Sequence, residues 1–290
     1  MPERLVQRAD GLLDHVQLLP ADASGSAPQP TDVDLIRPGQ ALVVTIPGDG
    51  TFRCTASFLF KDGASPPNHY LSTAGHCVLP STAVATHGVG ANYNPSGVTV
   101  YACHSDCLGG GKLPGALYAS IGPVVYARQA RTLPASGCPA GQVGNDFALV
   151  KLSPAWYNPP SGFVTPRMAV WQGPYGSNSN EGTGNLLVEY GDGIAHTGVS
   201  LDDGAACSFQ AVLGGTTGAG ADGGAAVSFG GSAHNAPLGG EAALGTLTHK
   251  LVGAGGVVYG TTLARGVQMA STDAGLALTL CDATTATFGC

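Results

Sequence analysis

Charged residues are few in this chain: 11% of 290, with 12 Lys and Arg against 19 Asp and Glu. Long amphipathic helices draw on Glu, Lys, Gln and Leu, so the shortage disfavours a helical fold. The net charge of −7 leaves no basic stripe to neutralise phosphates, which excludes nucleic acid as an expected partner. Nor is there a polybasic patch for anionic lipid. No stretch approaches the ~20 apolar residues needed to span a bilayer, so no membrane partner is expected. No Cys-x-x-Cys pair occurs, and no repeat of 20–50 residues that would point to a propeller or solenoid. Met1–Asp10 has no apolar core and does not read as a signal peptide.

Glycine and proline are abundant, 45 and 20 residues, as in proteins built of short strands and tight turns. Eight dispersed cysteines suggest disulfides and an oxidising compartment, hence a secreted or periplasmic protein. Leu5, Ala9, Leu12, Val16 and Leu19 follow a helical spacing, so one short helix is expected over residues 1–20, ending at Pro20. A Pro-, Ser- and Gly-rich linker follows, which places a domain boundary near residue 40. Strands are expected at Ala41–Ile46, Cys54–Phe60, Tyr70–Ser72, Val98–Tyr101, Ile121–Tyr126, Phe147–Leu152 and Met168–Trp171. Beyond a Gly- and Asn-rich stretch they resume at Leu186–Tyr190, Gln210–Leu213, Ala225–Phe229, Ala243–Leu247, Val257–Leu263 and Ala277–Leu280. Six or seven on each side suggest two packed antiparallel barrels over residues 41–290.

Three segments carry chemistry. The first is Leu71-Ser72-Thr73-Ala74-Gly75-His76-Cys77, preceded by Cys54-Thr55-Ala56-Ser57-Phe58. The second is Asn145-Asp146-Phe147-Ala148-Leu149, an acid entering a strand. A carboxylate there can bond one imidazole nitrogen, fix its tautomer and stabilise imidazolium. The third is the turn Gly220-Ala221-Asp222-Gly223-Gly224-Ala225.

Taken in order, these resemble the trypsin/chymotrypsin-like serine proteases, especially the bacterial secreted type. The resemblance implies a two-barrel, chymotrypsin-like fold, His76 as general base, Asp146 as its partner and a disulfide between Cys54 and Cys77. It puts Asp222 at the nucleophile position, where the family has serine, and the oxyanion-hole amides at Gly220 and Asp222. It further implies a pocket base at Thr216 and a peptide-pairing strand at Gly245-Thr246-Leu247. Ala221 and Ala225 also depart from the pattern, which favours natural divergence over a single engineered change.

Attack on an amide by the Asp222 carboxylate would give a mixed anhydride from a poor nucleophile, so peptide cleavage by that route is not expected. Thr217 and Ser228 lie too far along the chain to stand in at the turn's tip. A second carboxylate beside His76 is expected to raise its pKa. The resulting expectation is an inactive homologue that keeps a cleft for a protein or peptide ligand, as a monomer and without cofactor. The alternatives are an active secreted endopeptidase, should position 222 be engineered or the turn align otherwise, and a structural or adhesive β module.

Cys103-His104-Ser105-Asp106-Cys107 has zinc-ligand residue types but reads as a disulfide-tied loop, so no metal is expected. Cys281 and Cys290 are expected to pair, and Cys138 with Cys207 is left as a long-range bridge; eight cysteines allow 105 connectivities in all. The remaining histidines, including His69, are expected at the surface or in turns.

Overall fold

A computed structural model describes residues 3–7, 13–19, 41–80, 97–102, 120–129, 138, 144–154, 186–191, 194–200, 207–213, 225–229, 241–250 and 257–281. The first group of strands is β1 (Glu3–Gln7), β2 (Leu13–Leu19), β3 (Ala41–Ile46), β4 (Gly50–Thr55), β5 (Leu59–Lys61), β6 (His69–Thr73), β7 (Thr99–Ala102), β8 (Ser120–Arg128) and β9 (Phe147–Lys151). The second is β10 (Leu186–Gly191), β11 (Ile194–Ser200), β12 (Ser208–Leu213), β13 (Ala225–Phe229), β14 (Glu241–Lys250), β15 (Val257–Thr262) and β16 (Thr279–Leu280). Among the described residues one α-helix, α1, spans Leu263–Ala274.

All of the pairings are antiparallel, as short strands joined by turns require, and they trace two circuits. In the first, β4 pairs β3, β3 pairs β7, β7 pairs β8, β8 pairs β9, and β9 pairs β6. The circuit returns through the chain after β4: Ser57 N–H donates to Ser72 O (2.7 Å), Ser72 N–H donates to Phe58 O (2.9 Å), and β5 pairs β6. The second circuit runs β10, β11, β12, β15, β14, β13 and back to β10. The expected all-β, chymotrypsin-like arrangement of two six-stranded units is thus present in the pairing.

Strand β9 shows why the core divides in two. Its residues alternate across the pleat, so Ala148 and Val150 face the interior of the first circuit with Leu42, Val44, Leu71 and Ile121. Phe147 and Leu149 face the other way, into a second cluster with Phe58, Phe60, Tyr70 and Tyr126. Leu263, Met269 and Ala270 of α1 close that second cluster. Both faces are dry, which explains the unbroken apolar run Phe147–Val150. Thr262 caps the helix by accepting from Arg265 N–H (3.4 Å), and Gly275 ends it in the left-handed region at φ 67°.

Three expectations are corrected. The N-terminal helix is instead the hairpin β1–β2, with Glu3 opposite Gln17 and Gln7 opposite Leu13. Leu13 and Leu19 also fit a period of two, Gly11 weakens a helix, and β2 gains backbone partners on β1 and β4 that a lone short helix would lack. The α-helix found among the described residues is α1, between the strands expected at Val257–Leu263 and Ala277–Leu280, where no element was expected. His69 is a buried strand residue, 5% exposed, rather than a surface one. The expected strand Met168–Trp171, the Cys103–Cys107 loop and Cys290 lie outside the described residues. No helix among the described residues is long and apolar enough to cross a membrane.

Candidate active site

His76 sits on a single 3-10 turn, Gly75–Cys77, directly after β6. Its backbone N–H donates to Asp146 Oδ1 (3.0 Å), and its Nδ1 lies 2.8 Å from Asp146 Oδ2. One carboxylate therefore fixes both the main chain and the ring. With Nδ1 the hydrogen-bonded donor, Nε2 is the nitrogen left to accept a proton when the ring is neutral. His76 is 5% exposed and Asp146 fully buried, so the pair works in low dielectric, where its attraction is strengthened.

The turn fits because residue 75 is glycine. A Cβ there would land on the carbonyl oxygen of Arg128 and reach 3.0 Å from Asp146 Oδ1. The disulfide Cys54–Cys77 ties the residue after His76 to the end of β4, the pairing that the family resemblance implied.

Asp146 is held from the second circuit. Its own N–H donates to Thr261 Oγ1 of β15 (3.1 Å). Asn145, just before it, is buried and adopts φ 69°, a left-handed conformation that asparagine tolerates better than most residues. Its side-chain oxygen accepts from Arg265 Nε of α1 (2.7 Å), and Arg265 Nη1 donates to Gln268 Oε1 (2.9 Å). Burial, reinforced by nearby Arg128, holds the Arg265 guanidinium below its usual pKa. Cys138 and Cys207 form a second bridge, and a Cβ on Gly144 would meet both of these cysteines at under 3 Å. The long-range pairing left open from the sequence is therefore present.

Thr261 and Arg265 escaped sequence reasoning. Each acts across a large sequence separation, 115 residues for Thr261 to Asp146 and 120 for Arg265 to Asn145. The only local signal was the cap pattern Thr262 to Gly275, which would have located α1 but not its contact.

Asp222, Gly220 and Thr216 lie outside the described residues. The chain re-enters at β13, whose first residue, Ala225, pairs with Thr246. Gly245 and Thr246 are laddered on both edges, to Ala226 and Ala225 of β13 and to Thr262 and Thr261 of β15. Among the described residues β13 reaches β14 as far as Thr246, and Leu247 pairs with Gly260 of β15. Thr246 Oγ1 also donates to Ser57 Oγ (2.9 Å), joining the two circuits beside the site. The described residues include no group of three or more His, Cys, Asp and Glu placed to hold a metal ion.

A buried carboxylate–imidazole pair whose Nε2 is the basic nitrogen can take a proton from a hydroxyl placed beside it and return it to a leaving group.

Neither a family model nor a curated protein matches the chain. Among solved structures it is similar to Thermobifida fusca protease A, at 15% identity over 86% of this chain and 99% of that one, TM-score 0.44. It is also similar to an alpha-lytic protease homologue, N4, at 15% identity over 87% and 98%, TM-score 0.43. A Cellulomonas bogoriensis chymotrypsin matches at 16% identity over 85% and 99%, TM-score 0.41.

Proposed function

We propose that this chain is a secreted serine-endopeptidase homologue that has lost its nucleophile and binds an extended peptide or protein segment without cleaving it. The observation that carries the reading is the buried His76–Asp146 pair, with two hydrogen bonds between one carboxylate and one histidine. An acid is buried at this cost when imidazolium must be stabilised. Ala74, Gly75, His76 and Cys77, directly after Thr73, also follow the protease pattern. Position 222 is what turns an enzyme reading into a binding one: aspartate has no hydroxyl for Nε2 to deprotonate. The glycines at 220, 223 and 224 would keep the backbone of such a turn, and Gly220 and Asp222 supply the amides of the oxyanion hole.

The test is labelling with a fluorophosphonate probe, on the natural chain and on Asp222→Ser. Labelling of the serine version alone is the expected result, since base and hole would then act on a restored hydroxyl. Labelling of the natural chain would overturn the loss of activity and make this an endopeptidase. Silence from both would remove the protease-derived site from the reading.

A further inference from the structure

The hairpin at the N-terminus is joined to both circuits by the same strand. β2 pairs β14 at Leu13↔Lys250, and pairs β4 at Gln17↔Arg53, Leu18↔Phe52 and Leu19↔Thr51. The three residues between, Asp14, His15 and Val16, pair with β1 on one side and carry the strand from the second circuit to the first. Four residue steps of extended chain, about 13 Å, bridge the seam.

Both anchorage points belong to the frame of the candidate site. Arg53 precedes Cys54, which is bridged to Cys77 next to His76. β14 carries Thr246, which pairs with Thr261, the residue whose hydroxyl receives the Asp146 amide. On β14, β2 docks at Lys250, beyond Thr246, the last residue of β14 that the described part of β13 reaches. The site and the strand thus straddle the same junction.

We propose that β2 is a built-in extended-peptide ligand: residues 13–19 of this chain occupy the inter-barrel groove by antiparallel strand addition and shut it to other peptides. The inference rests on the peptide-binding reading above and deepens it by naming the first occupant. Backbone hydrogen bonds supply most of the affinity in strand addition, so an occupant needs an extended conformation more than a particular sequence. A tethered strand has an effective concentration of about millimolar, enough to exclude a free peptide of equal intrinsic affinity. The Pro-, Ser- and Gly-rich residues 20–40 supply such a tether. Cutting or displacing that tether would convert a closed binder into an open one.

The test uses the full chain and a fluorescent peptide of the sequence Leu13–Leu19 added in trans. Gln17→Pro/Leu18→Pro removes two successive N–H groups that point to opposite edges of β2, so one donor to the β4 ladder is lost whichever of the two faces it. The peptide is expected to bind this variant at least ~10-fold more tightly than the intact chain. Within residues 51–53, the amides that face β2 should lose hydrogen-exchange protection in the variant, while those that face β3 and those of β9 keep it and report an intact first circuit. A second version, with a protease-sensitive sequence between Ala23 and Ser26 cut after folding, must behave alike on addition of excess peptide. Equal peptide binding with and without the prolines overturns the occupancy, as does unchanged exchange at residues 51–53. Failure of the protease reading looks different: the peptide still binds the opened chain, but Asp222→Ser takes no fluorophosphonate.

Discussion

At residue 75 the chain has room for a hydrogen and nothing larger. Gly75→Ala would drive a methyl into the Arg128 carbonyl, which is backbone within a paired strand and cannot swing aside. A loss of about 3 kcal/mol is expected, seen as a lower urea midpoint, together with a displaced His76 ring. Asp62 is another residue with a definite task. Desolvation acts to raise its pKa, but donors from the Asn68 side chain and backbone, Tyr70 and Ala64 outweigh it and hold the pKa at about 2. Because the folded value lies below the usual 3.8, its contribution is complete above about pH 4 and is lost as pH falls through 2. Asp62→Asn should therefore cost about 1 kcal/mol at pH 7, after discounting for exposure, and flatten the acid end of the stability profile.

Among elements, α1 is the one that ties fold to site. Its Arg265 answers the buried Asn145 oxygen, and Gly266 lies against the Phe147 ring. Arg265→Met keeps the length but removes the donor, leaving a buried acceptor unanswered. A loss of about 2 kcal/mol is expected, with a changed resonance for the His76 Nδ1 proton; Arg265→Lys should recover part of both. The strands were legible because hydrophobic runs of four to six residues between Gly and Pro turns have few other readings, and β9 is the clearest. Strand β11 (Ile194–Ser200) had no expected counterpart, and two further segments were misread. The β1–β2 segment offers Leu and Val spacings that satisfy both periods, and only pairing with β4 decides between them. The α1 sequence Leu-Ala-Arg-Gly-Val-Gln-Met-Ala-Ser-Thr-Asp-Ala holds a central glycine together with Ser and Thr, so its helix propensity is weak although Leu263, Gly266, Met269 and Ala270 share one buried face.

For the whole molecule, the disulfides and one histidine set the conditions of stability. The Cys138–Cys207 bridge closes a sequence separation of 69 and Cys54–Cys77 one of 23. In the chain-entropy account the longer bridge is worth about 4 kcal/mol and the shorter about 3 kcal/mol. Cys138→Ser/Cys207→Ser should thus lower the denaturation midpoint more than Cys54→Ser/Cys77→Ser. The His76–Asp146 partnership was readable from motifs alone, whereas its supports were not, since nothing local in Thr261 or Arg265 announces a partner over a hundred residues away. Burial lowers the pKa of His69, Lys61 lowers it further and Asp62 opposes them. Its neutral form is the folded one, so stability is whole above about pH 6.5 and declines as pH falls below it. Urea midpoints measured from pH 7 to pH 5 should fall, and less steeply in His69→Gln.

The Thr261 hydroxyl that receives the Asp146 amide has a further consequence, in time rather than space. A ribosome delivers His76 and Asp146 long before residue 261, so a nascent chain completes its first barrel while this support is still unmade. The site is then a late product of synthesis, and a chain truncated before β15 would keep both partners yet lack the brace that aligns them.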